Sequence, residues 1–318
     1  MPTLSFNKSK GAKPIAVVKG GPDDGDILYV NDADDKKDKD DEISAVKYAK
    51  YLKHLKPAER PIALKKLNKA RRNGIDDPDR IKDIDDELRE LYQKVLDDDK
   101  KLTNLELPYG STFQVCPDPD PKARQVIYAS GTSGSGKSFF AKNFCEMYIE
   151  LFPSRKVYLI SKLTEDATLD SMVPKPLRLS IDKFIEDGED IDIEDFRETC
   201  IIFDDYDTFT GKARDMVQNL IDTLATMGRH TVTTMLCLSH KFSDYKRTAI
   251  ILSECQYVVV YPFASSAHSI KYMLSTHFGL STKQIKDLRK MGRWVCLKKT
   301  YPQAIISAEC AKLLTNDD

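Results

Sequence analysis

Gly131-Thr132-Ser133-Gly134-Ser135-Gly136-Lys137-Ser138 is the stretch whose reading decides the fold. It fits G-x-x-x-x-G-K-[ST], a loop whose backbone N–H groups cradle a polyphosphate. The spacing has a physical reason. Glycines at 131, 134 and 136 let the backbone curl without Cβ clashes, so that successive N–H groups face one anion. Lys137 is then placed to reach the β- and γ-phosphates of ATP, and Ser138 to offer its hydroxyl to Mg²⁺. The flanks agree with this reading: 125–130 has the pattern of a short strand and 139–145 opens a helical one. A helix starting at the loop adds its positive dipole end to the phosphate site.

Outward from the loop, strand and helix patterns alternate. Strands are expected near 125–130, 156–161, 199–203, 231–238 and 256–261, with helices near 137–151, 213–228 and 244–253. The acidic segment 186–195 reads as a loop or helix edge. A helical stretch near 268–290 follows, then strands at 293–298 and 303–308. This alternation predicts an α/β domain, a mostly parallel sheet flanked by helices. Proline-rich 108–121 marks the near boundary, dividing the chain into an N-terminal appendage, 1–105, and a P-loop domain, 106–318. In the appendage, apolar runs at 15–18 and 27–30 flank a Gly/Asp turn and read as two short strands. The charged run 32–42 reads as a solvated linker. Helical stretches follow at 43–55, 58–73 and 78–98, making this a small, mainly helical region. The second has a basic face, read as solvated in preference to nucleic-acid binding. The third carries Ile81, Ile84, Leu88, Leu91 and Val95 as a packing stripe.

Composition limits the partners. Formal net charge is −1, so no overall basic field holds nucleic acid, and any DNA contact must come from local patches. The seven cysteines form no C-x-x-C pair, which points to buried reduced thiols and away from disulfide or zinc chemistry. No apolar run reaches membrane length and no signal-peptide core is visible at the N-terminus, so a soluble intracellular protein without a membrane span is expected.

A second half of the site lies at Asp204-Asp205, directly after the apolar run Cys200-Ile201-Ile202-Phe203. At a strand's C-terminal end, Asp204 is the candidate for holding Mg²⁺ through its water shell, and Asp205 for general base or water positioning. A further strand between the loop strand and the acid strand favours a RecA-like core over the simpler kinase arrangement. Gly228-Arg229-His230 sits between a helix and the fourth strand. Arg229 either closes its helix by dipole contact or reaches the γ-phosphate held by a neighbouring subunit, a role worth about 10³–10⁵ in rate. Ser239 and His240 end the fourth strand, where a polar side chain can sense the γ-phosphate; a structural role for His240 stands equally open.

Residues of about 125–310 resemble the genome-packaging ATPases of poxviruses and other nucleocytoplasmic large DNA viruses, in the FtsK–HerA superfamily of P-loop motors. The likeness rests on 133–138, on Ile202-Phe203-Asp204-Asp205-Tyr206-Asp207, and on Gly228-Arg229-His230 followed by Leu238-Ser239-His240. Tyr158-Leu159-Ile160-Ser161 and Gly292-Arg293-Trp294-Val295 match more loosely. The resemblance implies ATP hydrolysis with Mg²⁺, coupled to moving double-stranded DNA, without sequence preference, into a preformed capsid. It further implies a homo-oligomeric ring, a capsid or portal-like viral partner, and work in the host cytoplasm at the assembly site or with the virion. Lys137, Ser138, Asp204 and Asp205 fall on the family's two Walker motifs, Arg229 on a trans-acting finger and His240 on the polar sensor. Two departures are visible: Asp205 stands where superfamily members commonly have Glu, and Ser239-His240 where the sensor is often Gln. Lys212, Arg214, Lys241, Lys246 and Arg247 follow the acid strand and the fourth strand, where loops can touch DNA phosphates. Two other readings remain, a P-loop kinase of a small molecule and a nucleotide-binding scaffold without turnover.

Overall fold

Every residue of Val126–Ser130, Cys200–Asp204 and Thr234–Ser239 is buried. Strands covered on both faces need continuous apolar runs and not alternation, which is why these segments read as they do. The computed structural model describes residues 2–6, 11–31, 103–188, 191–244 and 246–314. The expected linker 32–42 and the helical stretches at 43–55, 58–73 and 78–98 lie outside the described residues.

In chain order the strands are β1 (Thr3–Ser5), β2 (Lys13–Lys19), β3 (Ile27–Asn31), β4 (Asn104–Glu106), β5 (Thr112–Val115), β6 (Val126–Ser130) and β7 (Val157–Ser161). They continue as β8 (Leu177–Arg178), β9 (Cys200–Asp204), β10 (Thr234–Ser239), β11 (Tyr257–Val260), β12 (Val295–Lys298), β13 (Ala304–Ser307) and β14 (Cys310–Leu313). The described helices are α1 (Lys137–Leu151), α2 (Ile181–Asp187), α3 (Gly211–Met227), α4 (Ala249–Glu254), α5 (Ala267–Phe278) and α6 (Thr282–Leu288).

Two compact units are formed, one from Lys13–Tyr29 with Asn104–Asp318 and the other from Met1–Ala12 with Val30–Thr103. Lys13–Tyr29, grouped by the sequence with the N-terminal appendage, thus belongs to the phosphate-loop unit. There β2 pairs antiparallel with β5. Buried Val17 and Cys116 meet Met147 of α1.

The main sheet of this unit runs β4-β14-β13-β12-β11-β6-β10-β9-β7-β8. From β11 to β8 all pairs are parallel, and from β12 to β4 all are antiparallel. The order β11-β6-β10-β9-β7 is RecA-like. A strand does separate the loop strand from the acid strand, but it is β10. The strand next in sequence, β7, lies beyond the acid strand, because the chain crosses outward after α1 and fills the gap last.

One face of the sheet carries Val126, Tyr128, Ile201, Phe203, Met235 and Cys237, packed with Val217, Leu220 and Leu224 of α3 and with residues of α4, α5 and α6. Alternation along β9 turns Cys200 to the other face, where its Sγ is 3.7 Å from Cys145 Sγ of α1. Six of the seven cysteines are buried and all are free thiols. No described helix is long and apolar enough to cross a membrane.

Two local expectations shift and a third holds. The helix expected at 244–253 starts at Ala249, because Asp244 and Thr248 close a turn ahead of it, the Asp244 N–H donating to Thr248 Oγ1 at 2.8 Å. The helical stretch 268–290 breaks at Gly279, φ 67°, and restarts at Ser281 with a capping box to Gln284. The acidic segment 186–195 takes the end of α2 and a 3₁₀ turn capped by the Asp192 side chain.

Candidate active site

The loop leaves β6 at Ser130 and enters α1 at Lys137. Gly136, the residue before the helix, has φ 114°, a value L side chains rarely adopt. Gly131 is constrained differently: a Cβ there would stand 2.7 Å from Ser135 Oγ and 2.8 Å from the Tyr261 ring. The Gly131 N–H donates to the Ser239 carbonyl at 3.1 Å, which ties the loop to the end of β10.

Lys137 is 5% exposed. Its Nζ donates to the carbonyls of Gly131 (2.9 Å) and Thr132 (3.3 Å) and lies 3.5 Å from Asp205 Oδ1. The second Asp205 oxygen, Oδ2, is 3.0 Å from His240 Nε2. The carboxylate is therefore bracketed by the loop lysine and the histidine that follows β10. Its Oδ1 is buried without a proper hydrogen bond, the lysine being an ion-pair partner at the edge of bonding distance. Asp205 holds this position with left-handed backbone angles, φ 43° and ψ 42°. The His240 N–H is accepted by the Asp207 carboxylate, at 3.2 Å to Oδ2, which fixes where the imidazole starts.

Asp204 ends β9 and is 2% exposed. Register places Ser161 of β7 beside it, and Ser161 Oγ donates to Asp204 Oδ2 at 2.9 Å. Burial raises the Asp204 pKa to about 6, with the Asp205 charge adding to the rise and the Ser161 bond opposing it. Ser161 and Asp207 have no site role in the sequence reading. Ser161 is visible there only as a polar strand end, and its partner follows from register, which the sequence does not display.

These residues fit a magnesium nucleotide. The loop amides and the buried Ser135 Oγ, which has no hydrogen-bond partner, are donors suited to phosphate oxygens. Ser138, in the first helical turn, and Asp204 supply hard oxygen ligands of the kind Mg²⁺ accepts alongside phosphates and water. Among the described residues no group of three or more His, Cys, Asp or Glu forms a metal cage of its own.

Arg229 is not brought to this site. It precedes β10, which runs parallel to β6, so it stands at the opposite edge of the sheet, roughly 15–20 Å from the loop by strand rise. It directly follows Gly228, the C-cap of α3. At the same helix end Arg124 donates to the Leu224 carbonyl at 2.6 Å and the Ala225 carbonyl at 2.7 Å. Gly228 admits this approach, since a Cβ there would meet Arg124 Nη1 at 2.7 Å. Arg229 itself is exposed. Of the basic residues beyond β9 and β10, Arg214 pairs with Asp215 (3.0 Å) and Lys241 with Asp244 (3.1 Å).

Strand order, loop and acid pair define a P-loop domain of RecA-like topology. The chain belongs to the family of the uncharacterized protein V3 of Sputnik virophage. It is 34% identical to V3 over 220 residues, covering 68% of this chain and 86% of the relative. No protein-family profile matches the sequence. Solved structures that overlap it include the genome-packaging NTPase B204 of Sulfolobus turreted icosahedral virus 2 in complex with AMPPCP, at 13% identity and TM-score 0.40, covering 59% of this chain and 98% of that one. The pCW3 conjugation coupling protein TcpA overlaps at 16% identity and TM-score 0.41, covering 65% of each chain. The cytoplasmic domain of the Thermomonospora curvata type VII secretion ATPase EccC does so at 12% identity and TM-score 0.43, covering 65% of this chain and 28% of that one. The fold assignment rests on the strand order and loop described above.

The buried Asp204 carboxyl has a measurable consequence. Its folded pKa, about 6, lies above the unfolded value near 3.9, so its neutral form is favoured by folding. Stability from this group is full below the unfolded pKa and lost as pH rises through 6, by about 3 kcal/mol at most. Asp204→Asn in metal-free protein is expected to raise the thermal midpoint at pH 8 and to raise it by only about a third as much at pH 4.5. Equal effects at both pH values would show that the ionised carboxyl costs nothing.

Proposed function

We propose that this protein is an ATP-hydrolysing motor that moves double-stranded DNA into a capsid during virion assembly, working as a homo-oligomeric ring. The observation that carries the ATPase part is the placement of Asp205 between Lys137 and His240 at the mouth of a phosphate loop. The motor part rests on the motif resemblance to packaging ATPases and on Arg229, exposed and at the opposite edge of the sheet from its own site.

In this reading ATP binds to the loop amides, and the Lys137 ammonium exchanges its contacts with Asp205 and the loop carbonyls for β- and γ-phosphate oxygens. That exchange leaves Asp205 Oδ1 open to accept a hydrogen bond from water. His240 holds Oδ2, so the carboxylate keeps one orientation while Oδ1 aligns the water and receives its proton. Mg²⁺, carried by Ser138 and Asp204, supplies charge neutralisation at the phosphates when bound. Arg229 reaches the γ-phosphate bound by the neighbouring subunit. Lys212, Lys246 and Arg247 are the better DNA contacts, because Arg214 and Lys241 already have carboxylate partners. A P-loop kinase is the weaker alternative, since β10 separates the acid strand from the loop strand.

Double-stranded DNA is expected to raise the ATPase rate, by a factor that shrinks as salt rises. Asp205→Asn is expected to cost about 10²–10⁴ in kcat with ATP binding retained. A rate indifferent to DNA at low salt argues for the kinase or scaffold, and undiminished hydrolysis by Asp205→Asn removes that residue from the chemistry. For Arg229, rings mixed from Arg229→Ala and Lys137→Ala subunits should recover activity that neither variant has alone, because each supplies what its neighbour lacks. No recovery at any mixing ratio would rule out action across the interface.

A further inference from the structure

Trp294 meets Phe140 edge-on, with ring centroids 5.9 Å apart and planes at 66°. Phe140 belongs to the first turn of α1, directly after the phosphate loop, so this contact pins the segment ahead of β12 against the loop. Gly292 turns the chain there with φ 139°, which a side chain would strain. Arg293 is carried between them to the tip of the loop, where its Nη2 is 3.4 Å from the Gly134 carbonyl. That hydrogen bond is long and weak, and among the described residues no carboxylate pairs with this guanidinium. Two more contacts brace the loop from the end of the neighbouring strand β11. Thr132 Oγ1 donates to the Ala264 carbonyl at 2.7 Å, and the Tyr261 ring fills the space against Gly131 and Gly136.

Charge balance gives the position a meaning. Asp204 and Asp205 set two carboxylates against the one ammonium of Lys137. A triphosphate brings more negative charge than Mg²⁺ cancels, so a further cation at the rim is favoured there. A guanidinium suits that task, because its planar fork matches phosphate oxygens.

We infer that Arg293 binds the polyphosphate of the nucleotide from the solvent side of the loop, opposite the buried Lys137. This deepens the nucleotide reading above and rests on it. Arg293 trades its weak contact with Gly134 for phosphate oxygens when nucleotide enters, and the Trp294–Phe140 contact holds it in range.

The test uses the full-length protein and a fluorescent ATP analogue competed by MgATP, MgADP or AMP. Arg293→Ala is expected to weaken MgATP and MgADP by about 10- to 100-fold, the worth of a charge-assisted hydrogen bond. AMP should change little, Arg293→Lys should recover part of the loss, and the thermal midpoint should stay where it is. Unchanged MgATP affinity in Arg293→Ala overturns the phosphate contact while leaving the nucleotide site standing. So does an equal loss for all three nucleotides, which marks a loop that has lost its shape. Wild-type protein that fails to bind any of them overturns the nucleotide reading and this inference together.

Discussion

Parallel pairing that brings the ends of β6, β10, β9 and β7 to one edge is the constraint on which the rest depends. Ser130 stands opposite Ser239, Phe203 opposite Cys237, and Asp204 opposite Ser161. The phosphate loop and His240 each begin one residue beyond those ends and the acid pair straddles the end of β9, so register assembles them. In a sheet a one-residue slip sends every side chain to the other face. It would take Asp204 out from beside Ser161 and move Asp205 away from Lys137. Burial on both faces fixes the register, since Ile201, Ile202, Met235 and Leu236 are all fully covered. The chemistry at the edge is thus held by packing in the middle.

Much of this was legible in the sequence, because the local signals and the tertiary result agree. The loop, the apolar strand ending in two acids, and the strand–helix alternation each need only nearby residues to be read. What escaped notice depends on spatial order. Sequence order puts β7 between the loop strand and the acid strand, whereas the sheet puts β10 there. Ser161 is one serine among many until register sets it beside Asp204. Only the fold shows that Arg124, 100 and 101 residues away in sequence, donates to the last carbonyls of the helix that precedes Arg229. β8, two residues long, and the late β14 carry too little pattern to stand out from the loops around them.

The antiparallel strands β12, β13, β14 and β4 serve more than one purpose. A parallel sheet ending at β11 would expose an apolar edge, since every residue of β11 is buried. Exposed edges of that kind invite pairing with other chains. The added strands cover it and leave β4 and β8, three and two residues long, at the ends. In doing so they bring the segment before β12 back over the phosphate loop, where Trp294 and Arg293 lie. Protecting the edge and completing the rim of the site are one structural solution.

Asp205 shows how two departures from a familiar pattern can answer each other. Aspartate is one methylene shorter than glutamate, so with ordinary strand angles its carboxylate would stay close to the backbone of β9. The left-handed conformation at Asp205 redirects the side chain across the end of β10. There the imidazole of His240 reaches Oδ2, anchored by the bond from its own N–H to Asp207. Histidine at this position meets the shorter acid directly. The pair acts as one structural unit, in which His240 holds one oxygen of Asp205 and the other stands beside Lys137.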